Sequence, residues 1–97
     1  MSNNTKDIIF IGKKPLMTYV TAAILQLSIL PSITLKARGL SISSAVTVAQ
    51  IILKRTNTFK LGDIKIDSES LDSLDGKKRN VSTIEIPVNR IEQQVGN

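Results

Sequence analysis

The sequence predicts one α+β domain with two layers, a sheet and two helices. In the first half of the chain, apolar residues with helical spacing alternate with short apolar runs typical of strands. In the second half, two runs with strand-like alternation flank an Asp-Gly pair, which is a strong signal for a hairpin turn. The chain has 97 residues, enough for a single domain with its own core.

The first strand and the first helix precede Pro31, which ends the helix. Residues 8–11 are an uninterrupted apolar run followed by Gly12, which favours a strand buried on both faces. Pro15 suits the first turn of a helix because its missing N–H would be unpaired there. The predicted apolar stripe of this helix consists of Leu16, Val20, Ala23, Ile24 and Leu27.

The second strand and the second helix follow in the same order. Residues 33–37 alternate between apolar and polar side chains, and Gly39 closes this strand. The first helix is a long enough crossover to make the two strands parallel. The second helix begins near Ser41 or Ser43, since either hydroxyl can cap it. Its predicted stripe consists of Ile42, Ala45, Val46, Ala49, Ile52 and Leu53.

The last two strands are expected to form a projecting hairpin around Asp75 and Gly76. Few apolar side chains lie between residues 67 and 83, so this segment is expected to be an arm about 20 Å long. Pro87 lacks an N–H donor, which favours an edge or a bulge in its strand. The domain is expected to span residues 7–92, with flexible tails at residues 1–6 and 93–97.

Two apolar residues of the second helix suggest a further contact. Val48 and Ile51 lie off its predicted stripe, so the apolar arc is wider than one sheet contact needs. A second buried face on a chain this small favours a two-fold homodimer. The alternative is an ordinary scatter of apolar residues over the surface.

The composition excludes several classes of function. Without Cys and His, the chain has no disulfide, zinc finger or Ser–His pair. With one Tyr and two Phe, a platform of several aromatic rings for single-stranded RNA is hard to build. The polar first residues are unlike a signal peptide, and the uncharged runs fall short of the ~20 apolar residues of a membrane span. A cytoplasmic location is therefore expected.

The net charge of +5 is unevenly distributed. Residues 1–60 contain eight basic residues and one acid, residues 61–76 carry −4, and residues 77–97 carry +2. The basic residues cluster after the first strand, at the end of the second strand and beyond the hairpin turn. The first two clusters share one sheet edge if the strands are parallel, and helix N-termini there attract phosphate. The candidate nucleic-acid-binding residues are Lys13, Lys14, Lys36, Arg38, Lys77, Lys78 and Arg79.

The acidic residues of the hairpin allow an enzymatic alternative, with Asp67 and Glu69 on one strand face and Asp72 and Asp75 beside the turn. Without His or an apolar pocket that raises a carboxyl pKa, catalysis is disfavoured. Solvated charges that prevent edge-to-edge aggregation explain the cluster better. No enzyme activity, cofactor or metal site is expected.

Three motifs resemble the Alba family of small basic archaeal chromatin proteins. They are Ile-Gly-Lys-Lys-Pro-Leu-Met at residues 11–17, Leu-Lys-Ala-Arg-Gly with Ile-Ser and Ala-Val at residues 35–46, and Asp-Gly with Val-Ser-Thr-Ile-Glu-Ile at residues 75–86. They occur in order and at family-like spacing over residues 7–91.

The resemblance implies a β-α-β-α-β-β fold with a four-stranded mixed sheet, similar to the C-terminal domain of translation initiation factor three. It also implies a two-fold dimer whose body lies on duplex backbone while the hairpin arms reach along the minor groove. It matches Lys13 and Lys14 to the family's central lysine pair and Arg38 to the arginine before its glycine. Residues 77–79 fall in the basic arm.

These features predict sequence-independent binding of double-stranded DNA, and of RNA, by a chromatin protein associated with the archaeal nucleoid. Acetylation of Lys13 or Lys14 would remove a charge and lower the affinity. The alternatives are an RNA-binding ribonucleoprotein subunit and a structural oligomer with incidental charge. The dimer partner is a second copy or another member of the family.

The chain departs from the family's pattern at four positions. Leu40 and Ser44 stand where many members are basic, and Thr56 stands where an aromatic often mediates contact between dimers. Asn80 stands where the arm often has a second arginine. These departures indicate a divergent paralogue that holds fewer phosphates and coats DNA less cooperatively.

Overall fold

The computed structural model describes residues 7–55 and 57–91, so both predicted tails lie outside the described residues. The prediction of an α+β domain is confirmed. The strands are β1 (Ile8–Phe10), β2 (Ser32–Arg38), β3 (Phe59–Leu61), β4 (Lys65–Asp72) and β5 (Lys78–Arg90). The helices are α1 (Leu16–Ile29) and α2 (Ile42–Arg55), and a 3-10 turn at Gly39–Ser41 leads into α2. Neither helix of the described segments has the length and apolarity to cross a membrane.

The sheet is mixed and has the order β1-β2-β5-β3, with β4 also paired to β5. β1 and β2 are parallel, as the sequence predicts, and β5 is antiparallel to β2, β3 and β4. β3 and β4 follow one another along the same side of β5, so the sheet is four strands wide. The separate segment β3 is not predicted from the sequence.

The break between β3 and β4 lies opposite Pro87. The Gly62 N–H donates to the Pro87 carbonyl oxygen at 2.9 Å. In an antiparallel pair a residue's N–H and C=O face the same neighbouring strand, so the missing proline N–H also faces this break. A Cβ atom on Gly62 would lie 3.0 Å from Pro87 Cβ. Pro87 therefore lies in an inner strand, and it interrupts the neighbouring strand instead of marking an edge.

Both helices pack on one face of the sheet and enclose a single apolar core. The alternation in β2 buries Ile33, Leu35 and Ala37, as predicted. The α1 stripe is confirmed as well, with Leu16 and Ile24 partly buried at its margins. The core consists of Ile11, Tyr19, Val20, Ala23, Leu27, Ile33, Leu35, Ala37, Ala45, Val48, Ala49, Ile52, Ile86 and Val88.

Two predictions about burial are wrong. Residues 8–11 are not buried on both faces, since Phe10 is 68% exposed on the face that no helix covers. Val48 is a fully buried core residue, whereas Val46, assigned to the predicted stripe, is 42% exposed. The reason is that α2 packs against α1 as well as the sheet, which rotates its buried arc toward Val48 and partly buries Ile51. Val48 and Ile51 therefore do not form the second apolar face of α2 that the sequence predicts.

The hairpin extends away from the core. Every residue of β4 is exposed, and β4 pairs with β5 from Lys65↔Glu85 to Asp72↔Lys78. Gly76 has φ of +83°, a conformation that glycine adopts without strain, and it lies in the predicted turn. The described chain is 62 Å in its longest dimension.

Candidate nucleic-acid interface

Lys13 and Lys14 lie exposed in the loop between β1 and α1. The Tyr19 hydroxyl oxygen accepts hydrogen bonds from the backbone N–H groups of Gly12 and Lys14, each at 2.9 Å. Tyr19 itself is buried in the core. A core side chain in the first turn of α1 therefore fixes the backbone that carries the two lysines. The sequence analysis missed this residue, although a tyrosine beside an apolar stripe, close to a helix start, is a usable signal.

The loop that carries Lys13 and Lys14, which we call the lysine loop, also adjoins the N-terminus of α1. Pro15 immediately precedes the first helical residue and makes no side-chain capping hydrogen bond to the N–H groups of the first turn. These groups and the positive end of the helix dipole attract anions, and no acidic residue lies in the first turn to oppose them. The arrangement can hold a phosphate group.

The ends of β1 and β2 are joined by a hydrogen bond from the Ile11 N–H to the Lys36 carbonyl oxygen at 2.8 Å. The two basic pairs of the body therefore share one sheet edge, as expected for parallel strands. The side chains of Lys36 and Arg38 alternate with the buried residues of β2, so they lie on the side of the sheet opposite the helices. We call this side, which also carries Phe10, the open face.

Both β2 cations have acidic partners on the open face. Lys36 Nζ lies 3.6 Å from Glu85 Oε2, and Arg38 Nη1 lies 3.2 Å from Glu69 Oε1. The sequence analysis missed these pairs because they depend on strand order and register, which no local signal gives. These are the two ion pairs of the described residues, so neither Lys13 nor Lys14 is paired with an acid within that part of the chain.

The three basic residues beyond the turn are exposed and are divided between two faces. Arg79 pairs opposite Leu71, and Lys78 pairs opposite Asp72, so their side chains point to opposite sides of the hairpin. Asp75 accepts hydrogen bonds from the Ser73 hydroxyl and from the Lys77 N–H. These two bonds, the hydroxyl bond foremost, lower the pKa of the Asp75 carboxyl below its ordinary value.

The acidic residues of the hairpin do not form a catalytic pair. Asp67 and Asp72 lie on opposite faces of β4, and Asp67 Oδ1 accepts a hydrogen bond from the neighbouring Ser68 N–H at 2.8 Å. Glu69 is engaged with Arg38. Within the described ranges, no group of three or more residues is placed to hold a metal ion.

The chain matches the Alba family model over residues 7–68, more than half of its length. It is 60% identical over 92 residues to the DNA/RNA-binding protein Alba of Nitrosopumilus maritimus, which covers 93% of this chain and 97% of the relative. It is 50% identical over 82 residues to the protein of the same name from Nanoarchaeum equitans, covering 80% of this chain and 91% of the relative.

The chain belongs to the Alba family. Its fold matches Alba from Thermoplasma volcanium with a TM-score of 0.79 at 44% identity, covering 86% of this chain and 99% of that one. ALBA1 from Trypanosoma brucei shares the fold at 20% identity, with a TM-score of 0.71 over 93% of this chain and 74% of that one. Membership confirms the resemblance and the prediction that the chain is not an enzyme, since the relatives are named as binding proteins.

The residues that depart from the Alba pattern differ in solvent exposure. Leu40 is fully exposed in the turn before α2, whereas Ser44 in the first turn of α2 is half-buried. Asn80 is exposed on the hairpin opposite Ser70. Thr56 lies outside the described residues. Leu40 thus exposes an apolar side chain in the turn before α2.

Proposed function

We propose that this Alba-family protein binds nucleic acid without sequence preference, mainly through phosphate groups of double-stranded DNA and of structured RNA. The observation that carries this proposal is the lysine loop, in which Lys13 and Lys14 stand exposed at a helix N-terminus on a backbone fixed by Tyr19. Exposed cations beside the N–H groups of a helix N-terminus favour contact with phosphates, and phosphate contacts give affinity without sequence selection.

The other basic residues have secondary roles in this proposal. Lys36 and Arg38 contact phosphate only after exchanging their acidic partners, whereas the residues at 77–79 extend the contact along the duplex from the hairpin arm. The arm over residues 67–83 lies along the minor groove. Acetylation of Lys13 or Lys14 weakens binding by removing a charge.

The proposed assembly is a two-fold homodimer. Its support is the apolar surface that the helices leave uncovered, since Ile66 is 78% exposed beside Ile84, on the side of the sheet that carries the core. Sedimentation equilibrium of the full chain tests this, with a dimer expected and a monomer for Ile66→Asp. A monomeric natural chain would contradict it.

The cellular role proposed is that of a chromatin protein associated with the nucleoid in the cytoplasm. This role is supported by the proposed phosphate contacts, because a protein that coats a chromosome does not need to read the bases. The second candidate is a ribonucleoprotein subunit, favoured by the relatives' shared name of DNA/RNA-binding protein. Competition between duplex DNA and structured RNA at matched salt separates the two roles.

The experiment for the lysine loop is a binding titration at several salt concentrations. Each neutralised phosphate contributes about −0.9 to the slope of log K against log salt on duplex DNA. Lys13→Ala/Lys14→Ala is expected to weaken all duplex sequences equally and to flatten the slope by about 2. The charge-matched control is Lys54→Ala/Lys60→Ala, at the end of the domain away from the lysine loop, which is expected to change the slope less. Equal slopes for both double variants would exclude the lysine loop from the interface.

A further inference from the structure

Phe10 is the exposed aromatic residue of this chain. Of the three aromatic side chains, Tyr19 is buried and Phe59 is half-buried, whereas Phe10 is 68% exposed at the end of β1. The residues on either side of it in the chain face the helices, since Ile9 packs against the core and Ile11 lies in it. The ring therefore stands on the open face, where no helix covers it.

The ring borders a shallow groove of about 380 Å³ on the open face. Lys36 Nζ lies 6.0 Å from the centre of the Phe10 ring, and Lys36 and Glu85 continue the same row across the sheet. The polar side chains lining the groove are Lys36, Arg38, Glu69, Thr83 and Glu85. One aromatic ring, two cations and several hydrogen-bonding oxygens are thus within one small surface.

We propose that this groove binds one nucleotide of an unpaired strand, with its base stacked on Phe10 and its phosphate held by Lys36 or Arg38 in exchange for that cation's carboxylate partner. The inference rests on the proposed nucleic-acid binding, but it uses another surface and another ligand chemistry than the lysine loop. Bases stack on exposed aromatic rings regardless of sequence, and cations beside the ring hold the backbone. Glu69, Glu85 and Thr83 offer oxygens to the sugar hydroxyls and the base edge.

The ligand is an unpaired strand because stacking needs a free base face. Inside a duplex both faces of a base are covered by its neighbours, so a duplex offers Phe10 only its phosphate backbone. The low aromatic content of the chain disfavours a platform of several rings, but it does not disfavour a single exposed ring. One ring with two cations is enough for one base, and it supplements phosphate contacts made elsewhere.

The test uses the absence of tryptophan from the natural sequence. In Phe10→Trp the new indole is the single tryptophan of the protein, and its fluorescence is expected to be quenched when a base stacks on it. The probes are a uridine-rich RNA strand, the thymidine-rich DNA strand of the same length, and the matching DNA duplex. Quenching by the single strands with little response to saturating duplex is expected. The control Leu25→Trp, exposed on α1 on the helix side, is expected to respond to none of them.

Affinities of Phe10→Leu separate stacking from charge. This variant is expected to bind the single strands at least about fivefold more weakly, the lower end for one lost stacked base, while duplex affinity stays unchanged. Phe10→Tyr is expected to bind single strands like the natural protein. Stronger loss for RNA than for DNA identifies the ribose hydroxyl as part of the ligand. Circular dichroism of each variant confirms that it is folded.

The possible results distinguish this inference from the proposed function. If duplex binding depends on the lysine loop but single strands neither quench Phe10→Trp nor lose affinity in Phe10→Leu, the groove is not a base site. Equal quenching by duplex and single strands would also overturn the inference. If the natural protein binds no nucleic acid at all, the proposed function itself fails.

Discussion

The hydroxyl oxygen of Tyr19 accepts a hydrogen bond from the backbone N–H of Lys14 at 2.9 Å, and the ring of the same tyrosine is packed in the core. The Gly12 N–H bonds to the same oxygen, so the loop is held on either side of Lys13. A flexible loop would lose conformational entropy on binding a phosphate, whereas a loop that is already ordered loses little on binding. The packing of α1 on the sheet is thereby coupled to the position of the lysine charges.

Tyr19→Phe tests this coupling. The variant keeps the packed ring but leaves two backbone N–H groups without their acceptor, which is expected to destabilise the fold by about 1–3 kcal/mol in urea denaturation. Duplex affinity is expected to fall while the salt slope stays unchanged, because both lysines keep their charges. Thr47→Val, which removes an exposed helix hydroxyl bonded to the Ser43 carbonyl, is the control and is expected to change neither. Unchanged affinity in Tyr19→Phe would show that the hydroxyl does not position the lysines.

The elements and the lysine loop could be predicted from the sequence because their signals are local. Lys13 and Lys14 lie between an apolar run and a proline, and the parallel strands follow from one helical crossover. The apolar pattern of α1 indicates only that the Tyr19 ring is buried. The hydrogen bonds of its hydroxyl group depend on the position of the loop before α1, which the pattern does not predict. The partners of Arg38 and Lys36 depend on β5 lying between β2 and β4, a long-range arrangement that residue spacing does not encode.

Glu69→Gln is expected to strengthen binding by freeing Arg38. An exposed ion pair contributes about 0–1 kcal/mol, so removing the competing carboxylate is expected to raise duplex affinity by up to about fivefold at low salt. The control is Asp67→Asn, on the same face of β4, where the side chain makes no ion pair in the described part of the chain. Filter-binding titrations at two salt concentrations measure both variants. Equal gains would mean that only the overall charge matters.

Val48→Ala tests the corrected position of α2. Val48 is fully buried, so the loss of its two methyl groups is expected to destabilise the fold by about 1–3 kcal/mol. Val46→Ala, at 42% exposure, is expected to cost less than about 0.5 kcal/mol. Thermal and chemical unfolding of the two variants give the comparison. A larger loss of stability in Val46→Ala than in Val48→Ala would show that Val46, and not Val48, lies in the core.

Asp75 gives the hairpin tip a defined pH dependence. Hydrogen bonds from the Ser73 hydroxyl and the Lys77 N–H lower the pKa of its carboxyl below 3.8. A group whose pKa is lowered on folding stabilises the fold above its unfolded-state pKa, and this contribution is lost as the pH falls through the lower, folded-state pKa. The contribution of the Asp75 carboxylate to the turn is therefore expected to be present at neutral pH and to be lost only in acid stronger than that which protonates an ordinary aspartate.

An NMR titration of the Asp75 carboxyl carbon and the Lys77 amide measures this dependence. Ser73→Ala removes the hydrogen bond that lowers the pKa of Asp75 most, so this pKa is expected to rise toward its ordinary value. In Asp75→Asn the Lys77 amide keeps an acceptor oxygen but is expected to lose its acid titration. Because Lys77 directly precedes β5, loosening of this turn would release the start of the basic strand. A Lys77 amide that titrates identically in Asp75→Asn would show that another carboxyl controls the tip.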